Sequence, residues 1–125
     1  VRLQVVVPGR RFYAAVVDPL PAGLEAVNLS FKTSASSRLR NKLNNIYYDS
    51  HSWYSRFAFN HKEKRDSMVV MFANRLPAGV YEYTYLARAT TIGSFIAPPT
   101  RAEEMYEPEV FGRAATDFVR VITKK

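Results

Sequence analysis

An all-β antiparallel sandwich is the fold class predicted for this 125-residue chain. Three observations point to it. Several short runs alternate apolar and polar residues with a period of two. Turn residues separate those runs, and no stretch sustains the helical period. With 47% hydrophobic residues the chain can bury the core of one compact domain without metal or disulfide staples.

The runs fall in order. Residues 2–7 (RLQVVV) are short and β-branched, and Pro8-Gly9 turns the chain. Residues 11–17 (RFYAAVV) form the next strand and Asp18-Pro19 closes it. LPAGLEAVN, 20–28, combines a turn with a short apolar edge, and 32–45 read as a flexible basic loop. In 52–60 (SWYSRFAFN), Trp53, Ser55, Phe57 and Phe59 share one face. HKEKRD, 61–66, reads as a charged hairpin tip, with 67–73 (SMVVMFA) as the returning strand. LPAG then recurs at 76–79 ahead of 80–90, where Tyr81, Tyr83, Tyr85, Ala87 and Ala89 lie on one face. Residues 93–97 (GSFIA) and 116–122 (TDFVRVI) complete about seven short strands, the number a sandwich uses. Trp53 stands where such domains carry a buried Trp on the third strand, and Tyr81 stands where they carry a tyrosine corner. Trp53, Phe57, Tyr81 and Tyr83 are therefore assigned to core packing.

Composition excludes several chemistries. The chain has no cysteine, so thiol catalysis, disulfides, cysteine–zinc sites and a thioester within this stretch are ruled out. The absence fits a reducing cytoplasm and a bacterial periplasm equally. Apolar runs are far too short to span a bilayer, and no stretch reads as a signal sequence. The first residue is Val1 rather than Met, from which a domain of a longer protein is expected. His51 and His61 bracket a strand, and a rise of roughly 3.3 Å per residue sets them tens of ångströms apart. No zinc-binding helix motif, phosphate-cradling glycine pattern or nucleophile elbow occurs. Neither an enzyme nor a cofactor-binding protein is expected.

The net charge of +7 is unevenly spread. Lys32, Arg38, Arg40 and Lys42 lie in a stretch without acids, followed by Tyr47, Tyr48, Trp53 and Tyr54. Such a mixture could bind single-stranded nucleic acid by charge and stacking. Yet these aromatics mostly lie on strands that need them for a core, and no nucleic-acid motif is present. A nucleic-acid partner is not expected.

The acids Glu103, Glu104, Glu107 and Glu109 cluster in PPTRAEEMYEPEVFGRAA, 98–115. Pro98-Pro99 stops the preceding strand. Thr100 and Glu103 have the spacing of a capping box, and Glu103 and Glu104 would lie in a first turn that favours carboxylates. Pro108 limits continuation, and Gly112 permits the bend into the last strand. One short helical turn ending near Met105 and Tyr106 is thus predicted, with Arg101 and Arg113 helping to orient it. The two apolar side chains either fold back on the sandwich edge as a lid or form a docking tip, since exposed Met and Tyr are favoured interface anchors.

LPAGVYEYTYLARATTIGSFIAPPTRAEEMYEPEVFGRAATDFVRV resembles the C-terminal end of bacterial alpha-2-macroglobulins, their last macroglobulin-like domain. DPLPAGLEAVN, 18–28, resembles the early part of that domain and WYSRFAFNHKEKRD the middle, so the resemblance covers almost the whole chain. YLARAT, GSF, APP and EEMYEPEVFGR make 76–113 its most specific part; loop 32–45 carries none of it. The resemblance implies one macroglobulin-like domain over 1–125, an immunoglobulin- or fibronectin-like sandwich at the C-terminal end of a larger protein. It implies a periplasmic protease trap, anchored through an N-terminal lipid, in which cleavage of a bait region triggers rearrangement. In thioester-bearing members a Cys-x-Glu-Gln thioester in another domain then captures the protease. The last domain packs on that thioester domain, and a Met–Tyr pair matching Met105 and Tyr106 covers the reactive bond at rest. Its partners would be the thioester domain, neighbouring macroglobulin domains and, through the whole protein, target proteases, with no membrane contact of its own. In a relative without the thioester the same tip would be an interdomain contact only.

Overall fold

In the computed structural model of the chain, the described residues are 1–27 and 58–124. Basic loop 32–45, His51, Trp53, Phe57 and most of the strand expected at 52–60 lie outside them. Among the described residues, the strands are β1 (Arg2–Val7), β2 (Arg11–Pro19), β3 (Leu24–Ala26), β4 (His61–Lys64), β5 (Met68–Leu76), β6 (Gly79–Thr84), β7 (Ala87–Ala89), β8 (Gly93–Ala97), β9 (Arg101–Glu104), β10 (Phe111–Arg113) and β11 (Asp117–Val121). A five-stranded sheet runs β10-β9-β2-β5-β4, and β1-β6, β3-β7 and β8-β11 form two-stranded ladders. Every pairing is antiparallel.

The core follows from the period-two pattern. Leu3, Val5 and Val7 of β1 turn inward while Arg2, Gln4 and Val6 face solvent. Val69, Met71 and Ala73 supply the inner face of β5, and Tyr81 and Tyr83 that of β6. With Ala14, Val16, Leu20, Phe59, Leu76 and Tyr85 these residues make one buried cluster between the five-stranded sheet and the β1–β6 ladder. Full burial of a side chain such as Val69 or Met71 contributes about 1.5–3 kcal/mol. The tyrosine corner expected at Tyr81 is present, its Oη donating to the Pro77 carbonyl at 2.7 Å. The second LPAG thus joins β5 to β6, and the corner ties that turn to the core.

Two expected elements differ. The run 80–90 is not one strand but β6 and β7, because the backbone exchanges partners at Tyr85-Leu86. Tyr85 N–H donates to the Val1 carbonyl and Val27 N–H to the Leu86 carbonyl, each at 2.9 Å, so β6 stays on β1 while β7 joins β3. HKEKRD is not a hairpin tip; His61–Lys64 is the outer strand β4, paired with Val69–Phe72. Arg65 N–H donates to the Met68 carbonyl at 2.8 Å and closes the turn there. Charged residues suit an edge strand as well as a turn, so composition did not separate the two.

Gly23 holds the β8–β11 ladder against the first LPAG turn. A Cβ at that position would stand 2.3 Å from the Phe95 ring, so the missing side chain is what lets that ring lie against the turn.

Asp18, buried near the end of β2, receives two hydroxyls. Tyr85 Oη donates to its Oδ2, and Thr100 Oγ1 donates to its Oδ1 at 2.5 Å. Burial, reinforced by the Asp18 carboxylate, pushes the Tyr85 phenol above the usual tyrosine range and keeps it a donor. Three distant segments are tied at one carboxylate.

Tyr81→Phe is expected to lower unfolding free energy by about 1 kcal/mol, read as a shifted urea midpoint at unchanged slope. Asp18→Ala orphans two donors and is expected to cost more, about 2–3 kcal/mol. A smaller loss for Asp18→Ala than for Tyr81→Phe would show that the carboxylate does not hold these segments together.

Candidate functional site

The predicted helical turn at 100–106 does not form. After β8 ends at Ala97, the chain passes Pro98-Pro99 and enters β9, which lies on β2 with Val17 opposite Arg101, Val16 opposite Ala102, Ala15 opposite Glu103 and Ala14 opposite Glu104. On its other side β9 pairs with β10, setting Phe111 opposite Glu103, Gly112 opposite Ala102 and Arg113 opposite Arg101. The capping-box residues are engaged elsewhere. The Thr100 hydroxyl goes to Asp18, 82 residues away. Glu103 Oε2 accepts from Arg101 Nε at 2.8 Å, and Glu104 Oε1 accepts from the Phe12 N–H at 3.2 Å. A single helical turn fixes several dihedral angles for little hydrogen bonding, whereas two flanking strands offer β9 a ladder on each side. Gly112 is accordingly no hinge: it lies within β10, with open space where a Cβ would stand.

The connection from β9 to β10 is a tied tip. Glu104 N–H donates to the Val110 carbonyl at 3.1 Å, Val110 N–H to the Glu107 carbonyl at 2.9 Å, and Glu107 N–H to the Glu104 carbonyl at 3.3 Å. Pro108 stands within this turn. At the opposite end of the hairpin, Ala114 N–H donates to the Thr100 carbonyl at 2.9 Å. Met105 N–H donates to the Tyr13 carbonyl at 2.9 Å, extending the β2–β9 register by one residue.

Met105 and Tyr106 are not buried against the sandwich: 45% and 77% of their surface remains accessible. They are not alone. Phe12, Tyr13 and Phe111 are also exposed. The Tyr13 and Tyr106 rings meet edge to face, with centroids 5.2 Å apart and planes at 86°. The Arg101 guanidinium lies 4.6 Å from the Phe111 ring centroid and also pairs with Glu103. With no helical turn to orient, Arg101 instead braces the β9–β10 hairpin through these two contacts, while Arg113 is exposed on β10 opposite Arg101.

Tyr13 carries a backbone anomaly. Its φ of 50° is the one positive value of a non-glycine residue among the described residues. For an L-residue that region costs roughly 1–2 kcal/mol. Its strand neighbour Asn74 gives its N–H to Asn60 Oδ1 at 2.8 Å, on the side of β5 away from β2. Phe12 and Tyr13 both emerge exposed at this interruption, where a regular strand would alternate. The sequence reading missed both residues; nothing local in RFYAAVV marks them, because only strand pairing sets residue 13 beside residue 105.

Elsewhere, His61 stacks on Phe72 at 6.0 Å and lies 3.9 Å from Glu63. Among the described residues, no group of three His, Cys, Asp or Glu is placed to hold a metal ion.

Comparison with known proteins places this geometry in context. The profile of the family described as "Bacterial Alpha-2-macroglobulin MG10 domain" matches residues 1–109. An alpha-2-macroglobulin homolog of Nostoc sp. is 33% identical over 113 residues, 90% of this chain and 5% of that protein. Among solved structures, Escherichia coli alpha-2-macroglobulin activated by porcine elastase superposes with a TM-score of 0.71 at 30% identity, over 95% of this chain and 10% of that one. Salmonella alpha-2-macroglobulin reacted with methylamine superposes with a TM-score of 0.69 at 30% identity, over 98% of this chain and 7% of that one. The chain therefore spans a small part of the length of the relatives it matches.

Exposed tip residues contribute little to folding. Met105→Ala combined with Tyr106→Ala is therefore expected to move the melting temperature of the domain by less than about 5 °C, the shift of roughly 1 kcal/mol. A collapse of the thermal transition would instead make the pair part of the fold.

Proposed function

The chain belongs to the family of bacterial alpha-2-macroglobulin MG10 domains, and on that premise we propose that it is the non-catalytic C-terminal domain of a periplasmic protease trap. In this reading it packs on the thioester-type domain of the same protein, and Met105 and Tyr106 cover the reactive bond at rest. Neighbouring macroglobulin domains are its further contacts, and target proteases meet it through the whole protein. The parent would be anchored by a lipid at its N-terminus. Its biological role would be defence of the cell against foreign proteases.

The observation that carries this reading is the tip itself. Two large apolar side chains are adjacent, exposed and set on a backbone hydrogen-bonded to β2 and across its own turn. Such a pair loses apolar surface to water only when another surface covers it, and each fully buried side chain would then contribute about 1.5–3 kcal/mol. The sulfur of Met105 and the ring of Tyr106 suit a close apolar seal. A thioester persists in water only where water and amines are kept from its carbonyl carbon. A seal made by side chains of a separate domain can be removed by moving that domain, without local unfolding. That the Escherichia coli relative has been activated by elastase, and the Salmonella relative reacted with methylamine, fits a protein that couples proteolysis to exposure of an amine-sensitive group.

The test uses the full-length parent before any protease is added. Met105→Ala with Tyr106→Ala should speed the release of free thiol by methylamine about tenfold or more, equivalent to some 1.4 kcal/mol of lost protection. A rate equal to that of the unaltered parent would remove the lock.

A further inference from the structure

Tyr13 is unusual in three ways at once, and of these the proposed lock uses only the hydrogen bond to its carbonyl. It holds a left-handed backbone conformation at φ 50°. Its carbonyl receives the N–H of Met105 at 2.9 Å. Its ring stands edge to face with that of Tyr106 at 5.2 Å. Glycine, or to a lesser degree Asn, occupies this backbone region easily, and Tyr does not. A position that asks for glycine and carries a large aromatic ring has a use for the ring.

Resting on the proposed lock, we infer that Tyr13 is its positioning residue, fixing the direction in which Tyr106 and Met105 project. The geometry gives the means. The main chain of Tyr13 anchors Met105, so the root of the tip cannot lift from β2 without losing that hydrogen bond. The Tyr13 ring occupies one flank of Tyr106, which is otherwise mostly surrounded by solvent. An exposed tyrosine ordinarily samples several side-chain rotamers; an edge-to-face partner favours those that keep the two rings in contact. The tip thus meets the neighbouring domain already arranged, and less rotamer freedom is lost when it seals. The contact needs a ring and not a hydroxyl, so Phe at this position should serve as well as Tyr.

Two measurements on the full-length parent test this, with Tyr13→Gly as the informative variant because glycine fits the backbone at that point and keeps the fold. First, 3-fluorotyrosine placed at position 106 reports the surroundings of that ring directly. In Tyr13→Gly its fluorine resonance should move towards the solvent-exposed position, while Tyr13→Phe should keep the original resonance. An unmoved resonance in Tyr13→Gly overturns the inference, whatever the lock does. Second, Tyr13→Gly should raise the methylamine rate before proteolysis about two- to tenfold, the range of an aromatic edge-to-face contact. It should add nothing further in a Tyr106→Ala background, and Tyr13→Phe should be indistinguishable from the parent. If the Met105/Tyr106 double variant reacts quickly while Tyr13→Gly stays slow, the lock stands and the role of Tyr13 falls. If the double variant is itself slow, the lock falls, and the fluorine resonance alone decides whether Tyr13 orients the tip.

Discussion

The pairing of β9 with β2, secured at Asp18, is the constraint from which the exposed tip follows. β2 is flanked by β5 on one side and β9 on the other, so a strand of the core sheet carries the tip's strand directly. At one end of that pairing the buried carboxylate of Asp18 accepts the hydroxyls of Tyr85 and Thr100. Burying a carboxylate is unfavourable unless donors meet it. Both donors must therefore arrive together, one from the segment after β6 and one from the residue before β9. At the other end Tyr13 receives the Met105 N–H, and the chain turns away immediately afterwards. With both ends of β9 set, the position of residues 105 and 106 is no longer free.

A consequence is the uneven distribution of apolar surface. The interior of the sandwich is closed by Val69, Met71, Leu76 and the three tyrosines 81, 83 and 85. The rim around β9 and β10 instead shows Phe12, Tyr13, Met105, Tyr106 and Phe111 to solvent. Single exposed apolar residues are ordinary on protein surfaces, but contiguous ones point to contact with another surface. The neighbouring charges are locally engaged: Glu103 with Arg101, and Glu104 with the Phe12 backbone. An exposed ion pair of this kind adds little stability; its effect is to hold Arg101 over the Phe111 ring. The part of the rim that is in mutual contact is the tip, where the Tyr13 and Tyr106 rings meet and Met105 is bonded to the Tyr13 backbone.

Legibility in the sequence varied with the range of the forces involved. The alternation in VYEYTY placed Tyr81, Tyr83 and Tyr85 on one face, with Tyr81 and Tyr83 in the core, because period two is a property of the strand alone. The tyrosine corner was readable too, since its hydrogen bond spans only four residues, from Tyr81 to Pro77. The exchange of partners at Tyr85-Leu86 was not readable: the residues there favour a strand throughout, and only the positions of Val1 and Val27 divide it. The capping box at Thr100–Glu103 was a real local preference that lost. A helical turn would have satisfied the Thr100 hydroxyl within its own segment, and Asp18 satisfied it in a buried place.

Alone, then, the sequence determined the all-β class, the inward tyrosines 81 and 83, the absence of thiol chemistry and the identity of the two side chains at the tip. Tertiary structure decided that the tip is a hairpin end instead of a helical turn, that Met105 and Tyr106 stay outside, and that Tyr13 stands beside them. The physical reason is separation along the chain. The hydrogen bonds between residues 13 and 105 and between 18 and 100, and the ring contact between 13 and 106, become available only after the sheet has assembled, and no local pattern announces them.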